Sequence, residues 1–471
     1  MEEKKKGFSI IKAMSWYAIG NILVKGVALF VLPLFSDLLS TYENGIFTSF
    51  TSHAVILESI VLLGLSATIR ISKYDADTDY DSYTATVLLI VFFMAGMLLI
   101  GINLLLFIVP EFLSFTRFLW NLLIINVAFS AGCIILGGRM TLDGHYKGYF
   151  GYLLINTAVN LGVSLLLIFT MFKNHDGHMA KIYAVFLANI CCFIYMYLFI
   201  GVRKPNRQYI RKALSWGSPL IVHTFLISLF SQLVTLSIQY MTDYSNVGIY
   251  GMAVTLLNIP QILLATFENA WNPWFFDTMD KKDYQLIRRF NNICYLIFSF
   301  LIAEFILIVP DLFHLLINRN YWDAIYCLIP LSIDTYISFL YYTPLNTEYF
   351  YKNTKNVMFA SILSSGVELV LLYVLIQRFG LFGAPYALLV SRMVLLIIHT
   401  YFARKLDQNA FYDTKLMIVT LAGLVLCDIV ASVFANNVLV RWPIFVVMGI
   451  IMLIVVFKNR KELIRLFNGG R

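Results

Sequence analysis

The sequence predicts an all-α protein that crosses a membrane many times, and three observations carry this prediction. First, 60% of the 471 residues are apolar and only 13% are charged, whereas soluble proteins carry about a quarter charged residues. Second, apolar runs of about 20 residues recur along the chain, as spanning helices require. Third, Lys and Arg are concentrated in alternate connections between these runs. This composition excludes a soluble enzyme, a disordered chain and a disulfide-bonded secreted domain.

About fourteen apolar runs are long enough to span a bilayer. They are predicted at residues 12–35, 45–69, 83–108, 119–139, 149–172, 181–202, 215–240, 247–270, 290–309, 325–344, 357–377, 382–403, 415–434 and 441–457. The runs are too long and too uniformly apolar for the strands of an outer-membrane barrel. Proline residues and charges mark several of their ends.

The distribution of Lys and Arg predicts the orientation of the helices. With the N-terminus placed inside, 27 of the 35 basic residues fall in inner connections, 6 in outer connections and 2 within spans. We therefore expect both termini in the cytoplasm and the chain in a bacterial inner (plasma) membrane. The net charge of +8 follows from this topology and does not predict nucleic-acid binding. Every outer connection is short, which leaves no room for an extramembrane catalytic region.

An internal repeat with an offset of about 200 residues divides the chain. The stretch 12–16 (Lys-Ala-Met-Ser-Trp) matches 212–216 (Lys-Ala-Leu-Ser-Trp), and 44–47 matches 247–250. Six spans separate the copies, so both halves enter the membrane with the same polarity, as in transporters built from parallel repeats. The predicted domains are an N-lobe at 1–202, a basic cytoplasmic linker at 203–214, a C-lobe at 215–405, and spans 13 and 14 with a basic tail at 406–471.

Four stretches carry motifs in a fixed order along the chain. They are Ser15-Trp16 followed by 42–47 (Tyr-Glu-Asn-Gly-Ile-Phe), Leu63-Gly64-Leu65 to Arg70, 270–275 (Ala-Trp-Asn-Pro-Trp-Phe), and 351–355 followed by 376–385. Together they resemble the oligosaccharide flippase (polysaccharide transporter) family of the multidrug/oligosaccharidyl-lipid/polysaccharide (MOP) exporter superfamily. The resemblance implies two six-helix lobes around a V-shaped central cavity, two extra C-terminal helices and alternating access. It also implies export of sugar units linked to undecaprenyl pyrophosphate, from the inner to the outer leaflet, in cell-surface polysaccharide biosynthesis.

Ionisable side chains near the bilayer centre are costly and usually face a cavity or a partner. From a helix rise of about 1.5 Å per residue, Lys25 of span 1 and Glu58 of span 2 are expected to meet near the midplane. The same estimate places Glu368 of span 11 level with Arg392 of span 12, and Asp334 of span 10 close to that level. Each cation has two interpretations: a cavity cation that binds the phosphates of a head group, or a structural ion pair. We favour the cavity for Lys25 and the structural Glu368–Arg392 pair for Arg392.

Further polar residues are predicted to line the cavity. In the spans that form the facing walls of the resembled fold, these residues are His223, Gln232, Gln239, Asn258, Gln261 and Glu268. Arg70 is predicted either to contact a phosphate or, as we favour, to anchor span 2. The aromatic residues considered for interfacial anchoring or sugar stacking are Trp16, Tyr240, Tyr250 and Trp271. The acidic run 75–81 is interpreted as a solvated inner loop, because it lacks the glycine and distal glutamate of a calcium loop.

The sequence thus favours a transporter over an enzyme, with no metal site and no cofactor. A coupling ion, H⁺ or Na⁺, is left open. The expected partners are a lipid-linked oligosaccharide, membrane lipid and polysaccharide assembly proteins, without nucleic acid. Three alternatives remain: a drug or cation antiporter of the same superfamily, a membrane polymerase or ligase of polysaccharide assembly, and a non-transporting scaffold. The cation Lys25 in the first span argues against the antiporter.

Overall fold

The computed structural model describes residues 20, 24, 26, 27, 29–109, 115–172, 176–409 and 411–460. Within these ranges the chain is helical and has no strand, which confirms the predicted all-α class. Twelve described segments are long and apolar enough to cross a membrane, and one of them, Thr354–Leu406, holds two helices joined by a short 3-10 turn. The first predicted span lies largely outside the described residues, so the count of about fourteen stays a prediction.

The chain divides into two compact units, Met1–Leu236 and Ser237–Arg471. The helices of the first unit are α1 (Leu29–Leu38), α2 (Thr41–Leu62), α3 (Leu65–Tyr74), α4 (Tyr80–Ile108), α5 (Arg117–Leu142), α6 (Tyr146–Thr170) and α7 (Gly177–Ile200). The division between the units falls within α8 (Gln208–Met241). The helices of the second unit are α9 (Tyr244–Asp280), α10 (Tyr284–Leu316), α11 (Ala324–Phe350), α12 (Thr354–Phe379), α13 (Gly383–Leu406), α14 (Thr414–Val433) and α15 (Val438–Lys458). The predicted domains 1–202, 203–214, 215–405 and 406–471 stay predictions.

The residues 45–69, predicted as one span, form two helices. The helix α2 ends at Leu62 because Leu63 and Gly64 adopt left-handed φ angles of 48° and 69°. A Cβ atom on Gly64 would lie 2.8 Å from the carbonyl oxygen of Gly217 in α8. Glycine therefore meets two requirements at this position, a positive φ and close packing against the first half of α8.

α11 lies at the centre of the second unit and packs against α9, α10, α13 and α14. In the most apolar stretch of α11, 83% of the residues are buried, compared with 6% in that of α15. The sequence predicts that span 10 ends at Pro344, but α11 continues through this proline to Phe350. A proline inside a helix removes one backbone hydrogen bond, and here packing on several sides keeps the helix intact. As a result, Glu348 lies in a buried helix rather than in a loop.

The helices α14 and α15 pack against α10. α10 continues through Pro310, beside which span 9 was predicted to end, so Asp311 also lies within a helix. Arg441 of α15 is 1% exposed, and its Nη1 and Nη2 atoms lie 2.5 Å and 2.9 Å from the carboxylate oxygens of Asp311. Nη1 also donates to the carbonyl oxygen of Leu307 at 2.6 Å. This two-pronged ion pair fixes α15 to α10.

Candidate functional site

Four polar residues of the second unit come together on α11, α12 and α13: Asp334, Glu368, Ser391 and Arg392, which we name the Arg392 cluster. Arg392 is the tenth residue of the 24-residue helix α13. Its Nε donates to Oδ1 of Asp334 in α11 at 3.2 Å. The side chain of Asp334 is 10% exposed and that of Arg392 is 30% exposed. A guanidinium well inside a membrane-spanning helix is thus held by a buried carboxylate and remains partly accessible.

The predicted partner of Arg392 is wrong. Helix rise placed Glu368 and Arg392 at one level and favoured an ion pair between them, but the ion pair of Arg392 is with Asp334. Glu368 of α12 instead accepts a hydrogen bond from Oγ of Ser391 at 3.5 Å. The predicted level was right, since Ser391 and Arg392 are adjacent. Successive residues of a helix point about 100° apart, so Ser391 faces α12 while Arg392 faces α11.

The hydrogen bonds of Arg392 leave part of its guanidinium open. Among the described residues it makes one hydrogen bond, through Nε, and its two Nη atoms have no hydrogen-bond partner. An arginine carries five N–H donors in a rigid fork. A phosphate or carboxylate accepts two parallel bonds from such a fork. The cluster therefore has the donors that recognition of an anion requires.

The predicted Lys25–Glu58 pair stays untested, because Lys25 lies outside the described residues. Glu58 of α2 is half-buried and accepts a hydrogen bond from Oγ of Ser130 in α5. In the same unit, Nδ2 of Asn189 in α7 donates to Oδ1 of Asn126 in α5 at 2.9 Å. Sequence reasoning missed these three partners, because single Ser and Asn residues within apolar runs give no periodic signal.

The remaining predicted cavity residues lie in three helices and differ in exposure. His223, Gln261 and Arg70 are exposed, Gln232, Asn258 and Glu268 are half-buried, and Gln239 is buried. Two of them bond locally: Gln232 donates to Oγ of Ser231 at 3.1 Å, and Asn258 donates to a carbonyl oxygen of its own helix. Glu268 of α9 is hydrogen-bonded to Tyr342 of α11. The roles of these residues in a cavity stay predictions.

Two aromatic residues considered as interfacial anchors or sugar platforms belong to the core. Tyr250 is 5% exposed and Trp271 is 3% exposed. The ring of Trp271 stacks on Phe290 with centroids 5.5 Å apart and planes at 19°. Tyr240 is 48% exposed, and its role as an anchor or a sugar platform stays a prediction, whereas Trp16 lies outside the described residues.

The acidic run 75–81 takes part in ion pairs that the sequence did not predict. We name this set the inner ionic network, and its members are Lys73, Asp75, Asp79, Asp81, Arg139, Asp143, Arg203 and Lys212. Lys212 bonds Asp75, and Arg203 contacts both Asp79 and Asp81. The hydrogen bond from Lys212 lowers the pKa of Asp75 below its ordinary value. The run is therefore tied to the segment 203–212 rather than simply solvated.

A second buried pair was also missed. Glu348 of α11 is 0% exposed and His399 of α13 is 2% exposed, and Oε1 of Glu348 lies 2.7 Å from Nδ1 of His399. The sequence predicted no role for His399, and it placed Glu348 beyond the end of span 10. The part of the chain that the structure describes has no cluster of three or more His, Cys, Asp or Glu side chains suited to a metal ion.

A comparison with known protein families shows to which family the chain belongs. A family model described as polysaccharide biosynthesis protein matches residues 10–279, which is more than half of the chain. The chain belongs to this family. The match runs through the first unit and α9, and it confirms the resemblance carried by the sequence motifs.

Two proteins of Haemophilus influenzae are similar in sequence. One, named Lsg locus putative protein 1, is 23% identical over 198 residues, which cover 39% of this chain and about half (49%) of that protein's length. The other, an uncharacterized membrane protein, is 20% identical over 426 residues, or 86% of this chain and 99% of that protein.

Two solved structures share the fold. The lipid II flippase MurJ in an inward closed conformation superposes with a TM-score of 0.68 at 14% identity, over 95% of this chain and 99% of that chain. An inward-facing multidrug resistance MATE family transporter of the MOP superfamily superposes with a TM-score of 0.62 at 14% identity, over 84% and 99% of the two chains. The twelve candidate spans of the described residues and the membrane-protein relatives support a multi-pass membrane protein, and the two solved structures show its fold.

Proposed function

We propose that the protein is a flippase that moves lipid-linked oligosaccharide units from the inner to the outer leaflet by alternating access. Arg392 carries this proposal, because its Nη donors are open and its side chain is 30% exposed within a membrane-spanning helix. Ionisable residues inside membranes commonly mark substrate pathways. The head group of an undecaprenyl-pyrophosphate sugar is anionic and offers the oxygen pairs that a guanidinium binds. Lipid-linked sugars of this kind are substrates of polysaccharide biosynthesis, the process named in the description of the family.

Asp334 has a positioning role in this proposal. It holds Arg392 through Nε at 3.2 Å and so sets the direction of the remaining N–H donors. A negative charge next to the guanidinium also weakens its hold on an anion, which favours release of the substrate. The amide side chains of Asn258 and Gln261 in α9, which belongs to the same unit, would bond sugar hydroxyls.

A drug or cation antiporter is the second candidate, and one observation favours it. The Arg392 cluster and Glu268 of α9 together hold three acids, Glu268, Asp334 and Glu368, and one cation, Arg392. An excess of carboxylates suits a cationic substrate. The two candidates differ in their response to removal of Arg392, since a cation site does not need it.

The experiment is complementation of a strain that lacks the protein and accumulates lipid-linked sugar intermediates. We expect Arg392→Ala to leave the intermediates accumulated at least about tenfold above the wild-type level, and Arg392→Lys to restore part of the export. Arg378→Ala is the matched control, because Arg378 lies exposed near the end of α12. The protein level is measured for each variant. Full export by well-folded Arg392→Ala, or accumulation of cationic drugs without a change in lipid-linked sugars, would contradict the flippase.

The proposed direction of flipping depends on the orientation in an inner membrane. Reporter fusions after residues 207, 285 and 408 should read cytoplasmic, and fusions near 175 and 318 should read external. This pattern follows from the concentration of Lys and Arg in the inner connections. A periplasmic signal at 207 would overturn both the orientation and the repeat of six plus six spans.

A further inference from the structure

We propose that the Glu348–His399 pair is a proton-binding site whose loading is coupled to the transport cycle. The proposal goes beyond the predicted coupling residues, and its link to transport rests on the proposed function. It begins from the geometry of the pair. Glu348 lies two residues before the end of α11, and His399 lies in the last third of α13.

The carboxylate of Glu348 is only half satisfied. Oε1 lies 2.7 Å from Nδ1 of His399, whereas Oε2 is buried and has no hydrogen-bond partner among the described residues. No Lys or Arg of the described chain lies within ion-pair distance of Glu348. The imidazole of His399 is therefore the one basic group in contact with a carboxylate that is 0% exposed.

This arrangement favours the uptake of one proton. With a neutral imidazole, the pair carries one net negative charge in a site closed to water, and a buried uncompensated charge is costly. Binding one proton gives either an imidazolium beside a carboxylate or a neutral acid beside a neutral imidazole. Both forms have zero net charge.

No other charge beside the pair compensates Glu348 among the described residues. The nearby acids and tyrosines of the packed elements include Glu268 of α9, Tyr295 of α10, Asp334, Tyr341 and Tyr342 of α11, Tyr351 after α11, Glu368 of α12, Asp407 and Tyr412 between α13 and α14, and Asp428 of α14. The Lys and Arg residues of these helices are Arg288 and Arg289 of α10, Lys355 and Arg378 of α12, Arg392, Arg404 and Lys405 of α13, and Lys415 of α14. Tyr341 stacks on the ring of His399, with centroids 5.8 Å apart and planes at 17°. Arg404 lies over the ring of Tyr412 and bonds Thr414. Among the described residues, none of these Lys and Arg side chains forms an ion pair with Glu348.

The position of the pair connects proton binding to helix packing. α11 and α13 are closely packed neighbours, and the pair joins them near the ends that the Lys and Arg distribution assigns to the cytoplasm. Pro344 lies one turn before Glu348 and removes a backbone hydrogen bond from α11 there. The end of α11 is therefore held more by side-chain contacts such as Glu348–His399. A change in the charge of the pair alters one of these contacts.

Proton binding is tested without any transport substrate. The full chain is placed in lipid nanodiscs, and infrared difference spectra are recorded between about pH 5 and pH 8 for the wild type, Glu348→Gln, His399→Asn and Glu304→Gln. Glu304→Gln is the matched control, since Glu304 is a half-buried carboxylate of α10. We expect one carboxyl or imidazole titration that both pair variants lose and the control retains. His399→Gln replaces either pair variant that fails to fold. A titration that Glu348→Gln leaves unchanged would overturn the proposal.

Coupling is tested in proteoliposomes with a trapped pH dye and lipid-linked oligosaccharide extracted from a strain that lacks the protein. A one-proton site changes its occupancy by at most about tenfold per pH unit, so the wild-type rate should follow pH within that bound. We expect Glu348→Gln to flip at a rate that no longer depends on pH. A pair variant whose pH dependence equals that of the wild type would overturn the coupling. If the wild type titrates in nanodiscs but moves no oligosaccharide, the proposed substrate fails while the proton site stands.

Discussion

In the first unit, the ion pairs lie around short segments between helices, where water reaches them. The side chains of the inner ionic network are 7% to 66% exposed, and each acid of the network contacts a Lys or Arg. In the second unit, Glu348, His399 and Asp334 lie inside packed helices and are 10% exposed or less. The network of the first unit is thus largely hydrated, whereas these three side chains of the second unit are held away from water, each with one ionisable partner.

This contrast predicts where single substitutions are costly. A hydrated charge that loses its partner is solvated by water, so exposed ion pairs contribute about 0–1 kcal/mol. A buried charge that loses its partner has no such replacement, and the loss costs about 3–5 kcal/mol in soluble proteins. We therefore expect single substitutions of the buried charges in the second unit to lower the free energy of unfolding strongly. Substitutions in the inner ionic network should lower it less.

The largest effect is expected for His399→Ala. The change leaves the carboxylate of Glu348 buried without a partner, which should cost about 3–5 kcal/mol. The measurement is the thermal midpoint and the folded fraction in detergent. The double variant Glu348→Gln/His399→Ala is the control, because it removes the buried charge as well. It should recover part of the loss, and a double variant less stable than His399→Ala would show that the pair is not the cause.

The second largest effect is expected for Arg139→Ala in the inner ionic network. The side chain of Arg139 is 7% exposed, bonds Asp81 and Asp143, and lies over the ring of Tyr80 at 4.4 Å. Hydrogen bonds to charged groups contribute about 1.5–3 kcal/mol, and we expect a loss near 2 kcal/mol because both acids can be rehydrated. Arg139→Lys keeps the charge and should lose less. A loss larger than that of His399→Ala would reverse the comparison of the two units.

The sequence predicted the fold class and most helix positions, because long apolar runs and the Lys and Arg distribution are strong signals. It placed two helix ends wrongly, since Pro310 and Pro344 were taken as boundaries. Proline disfavours a helix interior locally, but packing around α10 and α11 overrides that preference. The break at Leu63–Gly64 gives no signal in hydropathy, because the apolar run continues through it.

The sequence predicted the height of the candidate site in the membrane but not which side chains meet there. Helix rise gives the height of a residue in the membrane, so Arg392 was placed at the level of its cluster. Its direction around the helix axis depends on which helices pack beside α13, and no local pattern contains this. The partner of Asp75 is Lys212, 137 positions further along the chain. Only the tertiary structure brings such residues together.

A smaller effect is expected for Gly217→Ala in the first unit. A Cβ atom on Gly217 would lie 2.8 Å from the carbonyl oxygen of Leu63, and a backbone atom has little freedom to move away. Overpacking costs about 1–3 kcal/mol, and we expect a loss at the lower end, since alanine adds a single methyl group. Gly96→Ala in α4 is the matched control because nothing lies within 4 Å of its added carbon. It should leave the thermal midpoint unchanged or raise it. Equal effects of the two variants would contradict the close contact.

The smallest effect is expected for Asp75→Asn, because Asp75 and Lys212 are each 27% exposed. The hydrogen bond from Lys212 lowers the pKa of Asp75, so the folded state holds the carboxyl proton less tightly than the unfolded chain. The contribution to stability is therefore fully present above the ordinary carboxyl pKa and is lost as the pH falls through the lower, folded pKa. We expect the difference in thermal midpoint between the wild type and Asp75→Asn to be small at neutral pH, to vanish in acid, and to shrink in about 1 M salt, where the Debye length is about 3 Å. A difference that persists in acid and salt would show that Asp75 acts through packing rather than charge.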